Sequence, residues 1–423
     1  WLPVRRQPFK RIRRPGRHGE MERVSMKIRV GVFFGGKSVE HEVSIISAMQ
    51  AIAALDKEKY QPVPIYITKD NKFYTGPNLG EIEAYRDIPA ALKQATRITL
   101  VGGENTAVMQ LYPPKKLGNS IVGEIDVILP VTHGTNVEDG ALQGFFEYLN
   151  IPYAGCDVCA SAVGMDKWAM KALFQSAGLP VVQGVLTDKK TWYDQLEAEV
   201  ERIQKACGGY PVVVKPVNLG SSIGISKAHD RVELEDAVET ALEYASRVIV
   251  ETCVSHLREI NCSVLGDLDE CQASVCEEPL NATDILTFGD KYESGGKSGS
   301  KGMESLSRKI PADLPADVTA AIQDLACRAF RAINGNGVAR IDFMMDNETG
   351  AVYINEINTI PGSLAFYLWQ ESGMAFDALL DKMIWLAIKR KREKDGLTVS
   401  FDTNILANNA LSGSKGGKLG SKR

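Results

Sequence analysis

The chain has 423 residues, a net charge of −4, 44% hydrophobic residues and 24% charged residues. This length allows two or three domains with sizeable cores, and the near-neutral charge gives no general argument for binding nucleic acid or a membrane. No apolar run approaches the roughly 18–20 residues of a membrane-spanning helix. The eight cysteines are scattered through apolar segments, so we expect free thiols in a reducing cytoplasm.

The two ends of the chain differ in composition from the rest. Residues 1–25 hold eight Lys or Arg against two acids, with three prolines and little periodicity. We expect a disordered basic extension there, although a targeting peptide or a polyanion-binding arm would have a similar composition. Residues 396–423 end in a run of Gly, Ser and Lys and are expected to be a flexible tail.

Between residues 26 and 156 strands and helices are predicted to alternate. Apolar runs predict strands near 28–34, 62–68 and 126–131, and helices that begin near Glu42 and cover 141–149. This order favours an α/β domain with an open, doubly wound parallel sheet and a ligand at the strand ends. The less regular stretch from about 70 to 120 is expected to decorate that domain.

Residues 31–38, Gly-Val-Phe-Phe-Gly-Gly-Lys-Ser, match the pattern of a phosphate-binding loop. We reject that interpretation because Val32, Phe33 and Phe34 continue a core strand instead of wrapping around phosphates. The double glycine is better suited to a tight turn that presents Glu40 and a helix N-terminus to a ligand. On local grounds Glu40 is an equally good surface charge.

The loop His133–Gly140 follows a buried strand, where doubly wound folds place ligand-binding loops. His133, at the strand end, is the better site candidate. Glu138 and Asp139 are also explained as acids that complement the dipole of the following helix.

A central domain is expected over residues 157–254, with a helix near 166–177 and strands near 210–215 and 247–251. The strand near 210–215 delivers Lys215 to a loop of small residues, Gly220 to Gly224. Backbone N–H groups and hydroxyls of such a loop, together with a lysine, can hold the outer phosphates of a nucleotide. The alternative is an ordinary salt-bridged lysine. Lys167 stands at a helix start, where the dipole disfavours a cation, so phosphate would be its better partner too.

A third domain is expected over residues 255–395, closed by a helix near 374–393. Its polar, glycine-rich loop near 286–303 is too long for a plain hairpin and has the character of a lid that excludes water from a reaction centre. Lys291 and Tyr292 are its site candidates. The alternative for 294–302 is a disordered linker.

Residues 340–362 predict two strands joined by a turn at 346–350. Period-two alternation puts Arg340 and Asp342 on one face of the first strand, and Glu356 and Asn358 on one face of the second. Two carboxylates and an amide are hard oxygen ligands that suit Mg²⁺ shared with substrate phosphates. A hairpin with one solvated face is the alternative, but the flanking apolar residues and the following Pro361-Gly362 loop favour the metal site.

Together these motifs resemble those of ATP-grasp carboxylate–amine ligases, and specifically those of the bacterial D-alanine–D-alanine ligase family. The similarity runs from about residue 27 to 393. Its motifs, in chain order, are Gly35-Gly36-x-Ser38-x-Glu40-x-Glu42-Val43-Ser44, His133-Gly134…Glu138-Asp139-Gly140, Met165-Asp166-Lys167, Val214-Lys215-Pro216…Gly220-Ser221-Ser222-x-Gly224, Arg340-Ile341-Asp342 and Asn355-Glu356-Ile357-Asn358-Thr359-x-Pro361-Gly362.

The resemblance implies an ATP-grasp fold and the ATP-dependent formation of D-alanyl-D-alanine, through an acyl phosphate, for peptidoglycan precursors. It also implies a cytoplasmic bacterial homodimer with two Mg²⁺ ions, for which Mn²⁺ could substitute. The implied nucleotide-binding residues are Lys167, Lys215, Ser222, Glu251, Thr252, Cys253, Val254, Glu259 and Lys291, and the implied metal ligands are Asp342, Glu356 and Asn358.

The resemblance also assigns the substrate-binding residues. Glu40 would bind the ammonium group of the first D-alanine, linked through Ser221 to Tyr292, while Arg340 and the backbone N–H of Gly362 would form the oxyanion site. The remaining substrate contacts would come from His133, Tyr367 and Leu368.

Tyr367 stands where a serine is common in the family, which leaves D-alanine, D-serine and D-lactate open as the second substrate. Tyr292 favours D-alanine. A nucleotide-binding protein without catalysis is a further alternative, but it would have to lack metal ligands or phosphate-binding lysines.

Overall fold

The computed structural model describes residues 27–280 and 308–398. The basic extension, the lid with Lys291 and Tyr292, and all but the first residues of the tail lie outside the described residues. In the described part of the chain, no helix combines the length and apolar composition needed to cross a membrane.

The first third of the chain forms a mixed seven-stranded sheet within the described residues, in the order β6-β5-β4-β3-β2-β1-β7. Its elements are β1 Ile28–Gly35, α1 His41–Ala54, β2 Tyr60–Ile67, β3 Phe73–Thr75, 3-10 turns Pro77–Gly80 and Ile82–Arg86, α2 Ile88–Gln94, β4 Thr96–Gly102, β5 Ala107–Leu111, β6 Ile121–Ile125, β7 Val127–Pro130 and α3 Ala141–Tyr148.

The predicted parallel sheet is present only in part. Strand β1 runs parallel to β2 and to β7, as the alternation of strands and helices indicated. Strands β3 to β6 pair antiparallel and extend the sheet, so the stretch expected only to decorate the domain builds half of its sheet. Connection length explains the pairs β2–β3 and β4–β5, because the short loops at 68–72 and 103–106 can join antiparallel strands but not parallel ones.

The remaining described strands form two antiparallel sheets, β10-β9-β11-β8 and β14-β13-β12-β15-β16. Their elements are α4 Val158–Met165, α5 Lys167–Ser176, β8 Gly184–Asp188, α6 Lys189–Asp194, α7 Leu196–Cys207, β9 Val212–Pro216, β10 Ser226–Ala228, α8 Arg231–Tyr244, β11 Arg247–Thr252, β12 Leu257–Gly266, β13 Cys271–Pro279, β14 Arg308–Lys309, α9 Ala316–Ala332, β15 Gly337–Asp346, β16 Val352–Asn358, the 3-10 turn Gly362–Ala365, α10 Phe366–Glu371 and α11 Phe376–Asp395.

Aspartates define where several of these helices begin. The side chain of Asp166 accepts a hydrogen bond from the N–H of Ala169, and Asp157 caps α4 in the same way. Such a cap satisfies a backbone donor that the first helical turn leaves unpaired and is worth roughly 1 kcal/mol. The cap at Asp166 therefore fixes Lys167 as the first residue of α5.

Two cores bring the sheets together. The closing helix α11 buries Leu379 and Met383 in one cluster with Val30 of β1 and Val338 of β15. Helix α5 buries Phe174 against the sheet that contains β15. The carboxyl end of β1, the start of α5 and the β15–β16 hairpin consequently meet around one cavity.

Candidate active site

A cavity of about 200 Å³ lies where the three sheets approach one another. Most of the residues singled out in the sequence line it. They are Glu40, His133, Lys167, Lys215, Ser221, Ser222, Glu251, Thr252, Cys253, Val254, Glu259, Arg340, Asp342, Glu356, Asn358 and Gly362. Segments more than 300 residues apart in the chain therefore contribute to one site.

The β15–β16 hairpin forms as predicted, with Asp342 opposite Glu356 and Arg340 opposite Asn358. Nε and Nη2 of Arg340 donate to the two carboxylate oxygens of Asp342 at 2.6 and 2.7 Å. Nδ2 of Asn358 also donates to Asp342, at 3.0 Å. Burial opposes the positive charge of Arg340, but Asp342 outweighs it and holds the pKa of the guanidinium well above its usual value.

The donors on this hairpin fit a divalent cation shared with phosphates. Two carboxylates on neighbouring strands and one amide are hard oxygen donors, and all three line the cavity. Cations already balance the charge of the two carboxylates, since Lys167 Nζ lies 3.3 Å from Glu356 and Arg340 pairs with Asp342. No group of three or more His, Cys, Asp or Glu suited to a metal occurs among the described residues. Mg²⁺ prefers octahedral coordination, so an ion held by these three side chains would take further oxygen ligands from a substrate or water.

Both predicted phosphate-binding lysines are buried in the wall of the cavity. Lys215 Nζ donates to Asn355 Oδ1 at 2.9 Å and lies 2.8 Å from Glu251. Lys167 Nζ donates to the carbonyl oxygen of Leu219 at 2.7 Å. The contact with Leu219 places the ammonium group of Lys167 beside the small-residue loop after β9.

Sequence reasoning missed Lys171, which completes this charge cluster. Lys171 is 4% exposed and forms an ion pair with Glu251, which it shares with Lys215. Burial lowers the pKa of Lys171 to about 8. The signal was available, since Lys171 stands four residues after Lys167 and therefore on the same face of α5.

Glu40 reaches the cavity from the end of the turn that follows β1. Its backbone N–H donates to Ser38 Oγ at 2.9 Å, and its carboxylate accepts a hydrogen bond from Ser221. Ser221 and Ser222 have φ of 56° and 59°, a left-handed conformation that is uncommon for serine. The predicted link between Glu40 and Ser221 is confirmed, and the surface-charge alternative for Glu40 is wrong because the residue is 9% exposed.

His133 joins the first sheet to the loop after β16. Its Nδ1 donates to the carbonyl oxygen of Ile360 at 2.9 Å, and its Nε2 accepts from Ser47 Oγ at 3.2 Å. Burial lowers the pKa of His133, in agreement with a neutral ring that both donates and accepts. Both ring nitrogens have protein partners, so His133 holds the cavity wall in place.

Glu138 was underestimated in the sequence. It accepts hydrogen bonds from the N–H of Gly134 at 3.0 Å and from the N–H of Ile360 at 2.9 Å, and it lines the cavity. Burial, together with the charge of Glu40, raises its pKa to about 8. Asp139, in contrast, accepts from the N–H of Asn136 in its own loop and from the N–H of Ala141 at the start of α3.

Tyr367 and Leu368, the remaining predicted substrate contacts, lie in α10. Neither lines the cavity, and Leu368 is fully buried. The hydroxyl of Tyr367 donates to Glu277 Oε1 at 2.9 Å. The cause is the preceding turn, in which Ser363 and Leu364 have φ of 52° and 53° and so direct α10 into the core.

Comparison with known proteins gives a consistent result. The family model described as D-ala D-ala ligase N-terminus matches residues 29–156, and the one described as D-ala D-ala ligase C-terminus matches residues 173–385. The D-alanine–D-alanine ligase of Thermosipho melanesiensis is 38% identical over 379 residues, covering 90% of this chain and 98% of the relative. That of Acetivibrio thermocellus is 41% identical over 380 residues, covering 86% and 96%.

Solved structures agree with this result. The D-alanine–D-alanine ligase of Coxiella burnetii aligns with a TM-score of 0.72 and 31% identity, over 87% of this chain and 97% of its own. The VanG D-Ala:D-Ser ligase of Enterococcus faecalis aligns with a TM-score of 0.71 and 30% identity, over 86% and 100%.

Proposed function

Because the chain belongs to the D-alanine–D-alanine ligase family, we propose that it uses ATP to join two D-alanine molecules into D-alanyl-D-alanine for peptidoglycan precursors. The observation that carries this proposal is one cavity lined by Glu40, Lys215 of β9, Lys167 of α5 and the acidic hairpin. The curated relatives favour D-alanine over D-serine or D-lactate as the second substrate.

The ATP phosphates would lie against Lys167, Lys215 and Ser222. Buried ammonium groups around a small-residue loop support this role, since they can neutralise a triphosphate. The adenine would lie along residues 251–254 and the ribose beside Glu259, as in the family pattern. Lys291 would reach the phosphates from the lid, which is outside the described residues.

Asp342, Glu356 and Asn358 would hold two Mg²⁺ ions together with the phosphates, with Mn²⁺ as a possible substitute. Bound metal would neutralise charge on the phosphates during transfer. The hard donors of the β15–β16 hairpin support this assignment.

Glu40 would bind the ammonium group of the first D-alanine, with Ser221 orienting its carboxylate. The carboxylate of that D-alanine takes the γ-phosphoryl group of ATP and becomes an acyl phosphate, with ADP as the leaving group. The neutral amine of the second D-alanine then attacks the acyl carbon, and phosphate leaves as the peptide bond forms. Arg340 and the N–H of Gly362 would stabilise the oxyanion formed in that attack.

The lid would close over the acyl phosphate and exclude water, with Tyr292 extending the Glu40–Ser221 link. We further propose a homodimer that works in the cytoplasm, where ATP is available, and three domains over 26–156, 157–254 and 255–395. These parts of the proposal rest on the family pattern.

Phosphate release from ATP, measured with a panel of D- and L-amino acids and D-hydroxy acids, tests the proposal. We expect release to depend on D-alanine and mass spectrometry to find D-alanyl-D-alanine. Asp342→Asn, which is nearly isosteric, should abolish both signals. Release without D-alanine, or a depsipeptide as the main product, would contradict the proposal.

A further inference from the structure

One arginine in the cavity wall has an edge of its guanidinium group without a partner. Arg308 lies in β14, pairs with Pro279 of β13 and lines the cavity. Its side chain is 11% exposed, and its Nε and Nη2 atoms have no hydrogen-bond partner within residues 27–280 and 308–398. Because unsatisfied N–H groups of a buried cation are costly, this edge calls for an anionic partner.

The rest of the guanidinium group is held in place by protein contacts. Its Nη1 donates to Glu277 Oε2 at 3.2 Å, and its central carbon lies 4.3 Å from the centre of the Tyr367 ring. The other oxygen of Glu277 accepts from the Tyr367 hydroxyl at 2.9 Å and from Asn261 Nδ2 at 3.1 Å. Stacking and ion pairing together fix the plane of the group, so its second edge is preorganised.

That second edge has the geometry that binds a carboxylate. Nε and Nη2 of an arginine point in parallel and match the two oxygens of a carboxylate. Elsewhere in this protein the same two atoms bind carboxylates in Arg29 with Asp126, at 2.9 and 2.6 Å. Arg258 binds Glu278 in the same way, at 2.8 and 2.7 Å.

We propose that Nε and Nη2 of Arg308 bind the carboxylate of the second D-alanine, a role that rests on the proposed function. The first D-alanine loses its free carboxylate when it is phosphorylated, whereas the second keeps its carboxylate throughout the reaction. Arg308 shares the cavity with Arg340 and Gly362, beside which the second amine would attack. Phosphates are the less suitable partner, because the lysines assigned to them come from β9 and α5.

The proposal also accounts for the tyrosine at position 367. Tyr367 offers its ring to Arg308 and its hydroxyl to Glu277, so it supports the arginine from outside the cavity. The contact with the second substrate that the resemblance gave to Tyr367 passes to Arg308. Tyr367 is in this view a positioning residue.

The test separates the first half-reaction from the second. Hydroxylamine traps an acyl phosphate as a hydroxamate, so D-alanyl hydroxamate formation from ATP and D-alanine reports activation without the second D-alanine. Dipeptide formation as D-alanine is varied reports the KM at the second site. Both are measured for the wild type, Arg308→Met and the control Arg258→Met, which removes an arginine outside the cavity.

We expect Arg308→Met to raise the second-site KM on the order of tenfold to a hundredfold, because the variant loses a charge-assisted hydrogen-bonded pair with the substrate carboxylate. Hydroxamate formation and the KM for ATP should be unchanged, and Arg258→Met should leave all three at wild-type values. With D-alaninamide as acceptor, which has no carboxylate, Arg308→Met should match the wild type.

An unchanged second-site KM in Arg308→Met, or an equal rise for D-alaninamide, would overturn the assignment of Arg308. Should Arg308→Met lose hydroxamate formation through misfolding, Arg308→Lys decides, since it keeps the charge but not the paired donors. A raised second-site KM in Arg308→Lys supports the proposal and an unchanged one overturns it. Absence of hydroxamate with the wild type would overturn the proposed function itself, and this assignment with it.

Discussion

The substitution Glu251→Gln tests whether the buried charge cluster stabilises the central sheet, β10-β9-β11-β8. Glu251 is 1% exposed and lies between Lys171 and Lys215. Glutamine keeps the size of the side chain but removes the only negative charge in the ion pairs recorded for these two lysines within the described residues. The variant therefore leaves two buried ammonium groups facing each other.

The expected loss follows from the pKa of Glu251. Burial alone would raise this pKa, but Lys171 and Lys215 outweigh burial and lower it from 4.5 to about 2. At 1.36 kcal/mol per pKa unit, the ionised form is favoured by about 3 kcal/mol in the folded state. Removing one partner of a buried ion pair costs about 3–5 kcal/mol, so Glu251→Gln should lower the free energy of unfolding by that amount.

Urea unfolding followed by tryptophan fluorescence measures this loss, because Trp192 is buried in the core of the central sheet. The control is Glu197→Gln, which removes an acid paired with Arg231 on the surface. Glu197 is 74% exposed, so water screens its ion pair and little stability should be lost. Equal losses in the two variants would refute the reasoning.

The same shifts predict a pH dependence with a definite sign. Between pH 4.5 and about 2 the unfolded Glu251 binds more protons than the folded one, so stability falls as the pH decreases through this window. The folded pKa of Lys171 is about 8, below its unfolded value of 10.5, so its contribution rises as the pH increases between these values. Glu251→Gln should lack the acid component in urea titrations at low pH.

Three further predictions concern single residues. Arg340→Ala should reduce turnover on the order of a thousandfold, the effect of losing an oxyanion donor, as measured by kcat for dipeptide formation; a loss below tenfold would contradict this. Gly337→Ala should cost a few kcal/mol more in urea unfolding than Gly208→Ala, because both have φ near +75° but only at Gly337 would the new Cβ lie 2.9 Å from the backbone of Gly155. Because the pKa of Glu138 is raised to about 8, the free energy of unfolding of the protein should fall as the pH rises from 4.5 towards 8. The Glu138→Gln variant should lack this pH dependence in urea unfolding, and an equal dependence in the variant would exclude Glu138 as its source.

Several features of the site could be predicted from the sequence because they depend on local patterns. Period-two alternation and a turn at 346–350 place Asp342 opposite Glu356 in any hairpin that forms there. The core strand β1 could also be predicted, because its apolar run ruled out a phosphate-binding loop at 31–38, and the strand is buried in the structure. Such patterns need only a few consecutive residues.

Antiparallel pairing of β3 to β6 was harder to predict, since short, partly exposed strands carry a weak hydrophobic pattern. Lys171 was missed although its spacing from Lys167 indicated a shared helix face. A lysine on a helix is usually solvated, and only packing against β11 shows that this one is buried.

The motifs of the hairpin, the lysine-bearing strand and the β1 turn specify by themselves which chemical groups the protein carries and the order in which they occur. Only the tertiary structure decides which groups meet. The contact of Glu138 with Ile360, 222 residues apart, arises when separate sheets pack, and that of Tyr367 with Glu277 arises when α10 packs on β13. The side chain of Arg308 acquires its fixed plane and its unpartnered edge from that packing, because both depend on neighbours that no local pattern specifies.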